Sequence, residues 1–157
     1  MYFDSPIGPL AIRFDGSAVC ELNFHPVPGL DEPITTKRVS ALRAQLQRYF
    51  SSPAGFFTVP VRLKGTDFQR RVWQALQQIP LGETRTYGQL AKQLRSSARA
   101  VGNACRHNPV PIIVPCHRVV SARGIGGFCG QTAGAEVRRK RWLLRHEGAV
   151  VAVAENL

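Results

Sequence analysis

Apolar and polar residues alternate with a period of two near the start of the chain. Leu10, Ile12 and Phe14 lead into Asp15-Gly16, and Ala18, Cys20, Leu22 and Phe24 resume the pattern beyond it. Two alternating runs around such a turn dipeptide predict a β-hairpin. The stretch "FHPVPGLDEP" reads as loop. From about Thr36 to Phe50 the period changes: Val39, Leu42, Leu46 and Phe50 recur at helical spacing and give one apolar face. "FFTVPVRL" predicts a further strand that closes a small α+β unit. This unit carries no candidate catalytic group, and a structural role is expected for it.

After "KG" the pattern becomes helical. Thr66 and Gln69 have capping-box spacing, Phe68, Val72, Leu76 and Ile79 share a face, and Pro80 with Gly82 ends the run. Trp73 is expected to pack between the two parts of the chain rather than to touch a ligand. A second capping box, Thr86 with Gln89, opens a short helix carrying Leu90, Ala91 and Leu94, and Ser96-Ser97 breaks it. A third helix, "ARAVGNACRH", runs to Asn108-Pro109. Two short helices joined by a tight turn form a helix-turn-helix pattern. The third helix has a small-residue surface, Ala98, Ala100, Gly102 and Ala104, with Arg99, Asn103 and Arg106 as its long polar side chains. Such a surface admits close backbone approach to a narrow groove. It equally suits packing against the preceding helix.

Charge is uneven. Residues 1–60 hold 5 Lys+Arg and 5 Asp+Glu, whereas residues 61–157 hold 16 and 5, so the whole +11 excess lies in the second part. An imbalance confined to one region is the electrostatic footprint of a polyanion, and nucleic acid is the favoured partner over a merely solvated face. No run approaches a membrane span, and "MYFDSPIGPL" lacks the basic-then-apolar layout of a secretory signal, so a cytoplasmic protein with no membrane partner is expected. The four cysteines, Cys20, Cys105, Cys116 and Cys129, form no C-x-x-C pair, which disfavours a disulfide scaffold and a zinc ribbon. No metal site is expected.

The chemistry concentrates in "NPVPIIVPCHRVV". Pro109, Pro111 and Pro115 are expected to hold this segment extended and to deliver Cys116 to a fixed place. His117, Arg118 and the positive surroundings would each favour the Cys116 thiolate. In an extended chain His117 faces away from Cys116, so a bridging water or a local turn is needed between them. An imidazole also needs a partner on its other nitrogen, and Glu147, in "RHEG", is the candidate carboxylate. A thiol hydrolase built on Cys116 and His117 remains open at this point.

"GETRTYGQLA", "ARAVGNACRHNPVPIIVP", "PCHRVV" and "KRWLLRHEG", in that order along the chain, closely resemble the O6-alkylguanine-DNA alkyltransferase family, also called methylated-DNA–protein-cysteine methyltransferases. The match covers nearly all of residues 66–148; "SPIGPL" and "FTVPVRLKGTDFQRRVW" match more loosely. The resemblance implies an α+β protein with a ribonuclease H-like structural lobe over residues 1–63. A mainly helical DNA-binding and alkyl-acceptor domain with a helix-turn-helix follows over residues 64–157. It implies DNA repair by direct reversal: an O6-alkylguanine, mainly O6-methylguanine, with O4-methylthymine as a further substrate, is flipped from the minor groove of double-stranded DNA. Its alkyl group passes irreversibly to Cys116, one turnover per molecule, with no cofactor and with the protein acting as a monomer; cooperative binding along DNA is left open.

The resemblance also assigns roles. His117 relays the proton of Cys116 through water, Glu147 orients His117, Asn108 braces the active-site turn, and Tyr87 donates to the base. Backbone amides near Phe128, Cys129 and Gly130 face O6, and the carbonyls of Cys116 and Val119 accept from the guanine amino group. Arg99 enters the base stack, and Ala98, Ala100, Gly102 and Arg106 lie along the DNA. A damage sensor of this family would lack the cysteine, and a regulator would need an additional metal domain. Three departures bear on the pocket, the first being that the loop "GIGGFCGQTAGAEVRRK" is longer between Gly-Gly-Phe and the last helix than in the shortest family members. Phe128 stands where a tyrosine is often found, and Cys129 stands where many members have a small hydroxyl or Ala. Cys129 is expected to be a small wall residue in preference to a second thiol that pairs with Cys116 on oxidation.

Overall fold

A computed structural model describes residues 1–26, 36–53 and 57–149. The chain is mixed α and β and divides into two compact units, Met1–Lys64 and Gly65–Leu157. Most of the predicted loop "FHPVPGLDEP" lies outside the described residues.

In the first unit, β1 (Tyr2–Ser5), β2 (Gly8–Asp15) and β3 (Ala18–Asn23) form an antiparallel sheet in sequence order. The predicted hairpin is β2–β3, and Gly16 takes the positive φ its turn requires. The simple alternation is corrected at Cys20. A register shift between Arg13 and Phe14 pairs Phe14 with Val19, so Val19 is fully buried while Cys20 is half-exposed. A β-bulge places one extra residue in a strand, so the side chains beyond it change faces. β1 was not anticipated, its four residues being too short for periodicity to register.

The predicted helix is α1 (Lys37–Ser51), capped by the Thr36 hydroxyl, which accepts from the Val39 amide. Leu42 and Leu46 are wholly buried and contribute on the order of 2 kcal/mol each. The strand expected at "FFTVPVRL" is an isolated parallel bridge between Val19 and Val61, held by Val19 N–H to the Pro60 carbonyl and Arg62 N–H to the Val19 carbonyl. Pro60 has no N–H, so no longer ladder can form there. Phe56 is outside the described residues.

The second unit is built on α2 (Asp67–Gln77), α3 (Tyr87–Gln93), α4 (Ala98–Arg106) and α5 (Ala135–His146). Both predicted capping boxes are present, Thr66 with Gln69 and Thr86 with Gln89, each with reciprocal hydrogen bonds. Such boxes are local, so they are legible from sequence. Trp73 is buried on α2, and its indole N–H donates to the Ala104 carbonyl of α4 at 2.9 Å. α3 and α4 pack on each other across the turn Leu94–Ser97, with the Ser97 hydroxyl capping α4. A two-stranded parallel ladder, β4 (Arg85–Thr86) with β5 (Val119–Val120), ties the start of α3 to the segment that follows Cys116. Among the described residues no helix is long and apolar enough to cross a membrane.

Candidate active site

Residues 108–118 are not extended as their prolines led us to expect. The Val114 amide donates to the Val110 carbonyl, closing a tight turn in which Ile112, a buried β-branched residue, has φ +74. That conformation costs roughly 1–3 kcal/mol and persists only where surrounding contacts impose it. Asn108 imposes it: its side-chain amide donates to the Val114 carbonyl at 2.8 Å, and its oxygen accepts from the Val110 amide at 3.0 Å. The prolines remove N–H groups, and the Asn108 side chain bonds across the gap they leave.

Cys116 then opens a single 3-10 turn, Cys116–Arg118, entered through a hydrogen bond from its own amide to the Val114 carbonyl. The local turn, rather than an extended strand, sets the relation of Cys116 to His117. Both are buried. The His117 Nε2 lies 2.8 Å from Glu147 Oε2. Glu147 caps the C-terminal end of α5, 30 residues along the chain.

Arg118, read from sequence only as a nearby positive charge, grips the same carboxylate. Its Nε donates to Glu147 Oε1 at 2.9 Å and a terminal nitrogen donates to Oε2 at 3.1 Å, while the other donates to the Ile79 carbonyl at 2.7 Å. Burial by itself would raise the Glu147 carboxyl, yet His117 and Arg118 together hold it well below the usual carboxylate range. Burial depresses His117 below the usual imidazole value despite the carboxylate beside it. The resulting state is a neutral imidazole that donates from Nε2 to an ionised Glu147. Its Nδ1, buried and with no hydrogen-bond partner among the described residues, is left with a free lone pair.

Cys116 departs from expectation as well. Burial raises its thiol, and a hydrogen bond from the Asn108 side chain and the charge of Lys140 offset this only in part. At rest the sulfur is a protonated thiol, and the neutral His117 is the base suited to take its proton when needed.

Lys140 was missed by sequence reasoning. It is completely buried, donating to the carbonyls of Val119 at 2.6 Å and Gly127 at 2.9 Å, with its ammonium 5.8 Å from the centre of the Tyr87 ring. The available signal was a lysine between Val137 and Leu144 on the apolar side of α5. Tyr87, the first residue of α3, is pushed up by burial and then by its cysteine neighbours, so its hydroxyl remains a donor. Its ring lies close to Gly126, where an added Cβ would approach within 3.1 Å of a ring carbon.

A cleft of about 710 Å³ brings together most of the predicted residues. Cys116, Tyr87, Phe128, Cys129 and Gly130 line it beside Arg99, Ala100, Gly102 and Arg106 of α4. Ala98 is exposed at the start of α4, and Ala104, counted among its small surface residues, is instead buried. His117, Glu147, Asn108 and Val119 lie outside the lining. The Phe128 amide donates to the Gln131 carbonyl, so of the predicted loop amides that one is already engaged. Among the described residues no cluster of His, Cys, Asp and Glu could hold a metal ion.

Stability should follow from these groups. The unfolded chain protonates His117 near the ordinary imidazole value while the native chain does so only at lower pH. Between the two values the unfolded state therefore holds the extra proton, and stability falls as pH falls, by up to about 1.4 kcal/mol per pH unit for one proton. Glu147 adds a loss at lower pH, since its stabilisation is complete above the ordinary carboxylate value and disappears as pH drops towards its depressed one. Urea midpoints should decline from about pH 7 to about pH 4, and His117→Asn should flatten the upper part of that decline.

A buried thiol with a neutral imidazole, a carboxylate behind it and an adjoining cleft is an arrangement suited to a nucleophilic cysteine. Residues 67–149 match the family model described as 6-O-methylguanine DNA methyltransferase, DNA binding domain. The methylated-DNA–protein-cysteine methyltransferase of Mycobacterium tuberculosis is 44% identical over 153 residues, which cover 92% of this chain and 88% of that protein. The protein of the same name from Methanosarcina acetivorans is 38% identical, with 94% and 96% covered. The crystal structure of the Mycobacterium tuberculosis protein in complex with DNA superposes with a TM-score of 0.77 at 43% identity, covering 94% of this chain and 91% of that one. The chain belongs to the O6-methylguanine-DNA methyltransferase family.

Proposed function

We propose that this protein repairs DNA by direct reversal, taking the alkyl group of O6-alkylguanine, mainly O6-methylguanine and also that of O4-methylthymine, onto Cys116 in a single irreversible turnover. The observation that carries the reading is the Cys116 thiol lining a cleft bordered by α4, with the His117–Glu147–Arg118 relay behind it. A protonated thiol is a poor nucleophile, so the sulfur gives its proton through a bridging water to His117 Nδ1, and the ionised Glu147 stabilises the imidazolium that forms. The thiolate attacks the saturated carbon in line with the departing O6. A carbon–sulfur bond forms as the carbon–oxygen bond breaks, and the protonated Tyr87 hydroxyl donates to the base that leaves. The thioether product has no good leaving group, which makes the transfer final. The donor is the damaged DNA, and no cofactor is needed.

The lesion must leave the stack to reach a buried sulfur. α3 and α4 act as a helix-turn-helix, with α4 in the minor groove: Ala98, Ala100 and Gly102 permit close approach, Arg99 fills the space left by the flipped base, and Arg106 lies near the backbone. The Cys129 and Gly130 amides face O6. The carbonyls of Cys116 and Val119 accept from the guanine amino group; each has one partner already, the Val119 amide and Lys140, and a second lone pair. The first unit serves as a ribonuclease H-like structural lobe. The protein works as a cytoplasmic monomer, and cooperative binding along DNA is compatible with this reading.

Intact mass after incubation with duplex O6-methylguanine DNA should rise by one methyl in place of one hydrogen, on the peptide containing Cys116. Multiple turnovers, or label elsewhere, would refute the mechanism. Arg99→Ala should slow repair in duplex by roughly tenfold or more, corresponding to at least about 1.4 kcal/mol of lost extrusion energy, while reaction with the free base O6-benzylguanine changes little. Equal losses on both substrates would remove the flipping role.

A further inference from the structure

The expectation that Cys129 is only a wall of the cleft does not account for its conformation. Phe128 and Gln131 exchange backbone hydrogen bonds, Phe128 N–H to the Gln131 carbonyl at 2.8 Å and the reverse at 2.9 Å, around a two-residue turn of Cys129 and Gly130. Both turn residues have positive φ, +50 and +78, the combination that favours Asn-Gly or Gly-Gly. A cysteine there is strained, and such an outlier beside a reactive group points to function. Gly130 suits its place through its positive φ, and an added Cβ there would meet only the movable Arg106 side chain, 2.7 Å from Nε. Cys129 is exposed, and it lines the same cleft as Cys116. The Glu136 carboxylate, which Arg139 holds at 2.7 Å, is near enough for its charge to disfavour ionisation of the Cys129 thiol.

We propose that Cys129 is a resolving thiol: when a peroxide oxidises Cys116, Cys129 captures it as a Cys116–Cys129 disulfide. In the first step the Cys116 thiolate attacks a peroxide oxygen. The O–O bond breaks, hydroxide leaves and takes up a proton, and Cys116 becomes a sulfenic acid. In the second, the Cys129 sulfur attacks the Cys116 sulfur, the S–O bond breaks, and the departing hydroxide is protonated to water while Glu136 accepts the Cys129 proton. Two thiols and one peroxide give one disulfide and two waters, with two electrons passing from the sulfurs to the peroxide. Although the residue is exposed, partial desolvation of its sulfur, and then the neighbouring Cys116 and Glu136, keep the Cys129 thiol protonated at rest, so its proton must pass to a base as it attacks.

Cys105 lines the same cleft but is the poorer partner. It lies in the last turn of α4 with its backbone in helical hydrogen bonds, whereas Cys129 rides on a two-residue turn that can close the remaining distance without unwinding a helix. The consequence is protection. A sulfenic acid without a nearby thiol proceeds to sulfinic acid, which is irreversible, whereas the disulfide returns to the active thiol on reduction. This inference goes beyond alkyl transfer and requires no DNA.

The test is peptide mapping of the full-length protein under non-reducing conditions, with and without hydrogen peroxide in molar excess. The expected result is loss of two hydrogens and a linked peptide pair joining Cys116 to Cys129, reversed by dithiothreitol. Cys129→Ser should lose the pair and accumulate sulfinic acid at Cys116, Glu136→Gln should slow pairing, and Cys105→Ser should still form it. A Cys116–Cys105 link, or equal sulfinic acid formation in the wild-type protein and in Cys129→Ser, would overturn the proposal. Alkyl transfer onto Cys116 is read by a separate mass shift, so either conclusion can fail without the other.

Discussion

Cys116→Ser is expected to abolish alkyl transfer, lowering its rate by more than about a thousandfold, or roughly 4 kcal/mol of transition-state stabilisation. A hydroxyl differs from the thiol by one atom and fits the same place. Two physical differences make it ineffective. A serine hydroxyl is far less acidic, so the neutral His117 can remove its proton only at much greater cost, and the harder oxygen displaces poorly at saturated carbon. The folded state should be nearly unaffected, because Asn108 and the turn it braces do not depend on sulfur for their backbone hydrogen bonds. Binding to methylated duplex should persist. Transfer of label from methylated DNA, measured beside a gel-shift assay, separates the two properties; a serine variant that clears the lesion at normal speed would end the proposed mechanism.

Removing the carboxylate behind the histidine should produce the second large effect, and its two readouts are distinct. Glu147→Ala leaves the largely buried Arg118 without its bidentate partner and His117 without an acceptor at Nε2. Breaking a buried pair on one side costs about 3–5 kcal/mol, because the surviving charge has lost its compensation. The urea midpoint should fall accordingly, and some of the protein will be unfolded when expressed. Glu147→Gln keeps the shape and lessens the folding defect. It still removes the negative charge that stabilises the imidazolium, so alkyl transfer should slow by about a hundredfold or more, in line with the usual contribution of general acid–base catalysis. The remaining activity should rise with pH more steeply than in the wild-type protein, since thiolate must then come increasingly from solution base. A Gln variant with unchanged rate and pH profile would reduce Glu147 to a structural role.

Much of the second unit could be read locally. Thr66 with Gln69 and Thr86 with Gln89 announce helix starts three residues ahead, because a capping box is completed within one turn. Cys116 and His117 are adjacent in the chain, which makes them legible as a candidate pair, but the 3-10 turn that sets their relation appears only in the fold. Glu147 was proposed as the partner because acids are scarce in a basic region and because of the family resemblance, and only folding sets it 2.8 Å from the ring. Arg118 was underread: its charge was visible, but not its choice between solvent, DNA and a buried carboxylate.

Lys140 shows the same limit more sharply. A cation in "RRKRW" is most simply taken as surface charge, yet it is the one turned inward onto the Val119 and Gly127 carbonyls. Backbone acceptors carry no sequence signature, so the one cue is the place of Lys140 between Val137 and Leu144 on the apolar side of α5. Ile112 at φ +74 and the bulge that turns Val19 inward in place of Cys20 are concealed for a related reason. Both contradict the local preference of the residues involved, and tertiary hydrogen bonds override it.

The amino-acid sequence alone thus determined the helix starts, the hairpin and the excess of positive charge after residue 60, and it singled out Cys116 and His117 as the candidate nucleophile and base. These depend on neighbours within about one helical turn, or on sums over composition. The tertiary structure alone decided the protonation state of Cys116, the tautomer of His117, the burial of Lys140 and the meeting of three thiols at one cleft. Each of these is governed by desolvation and by charges brought together from distant parts of the chain, and neither exists until the chain has folded.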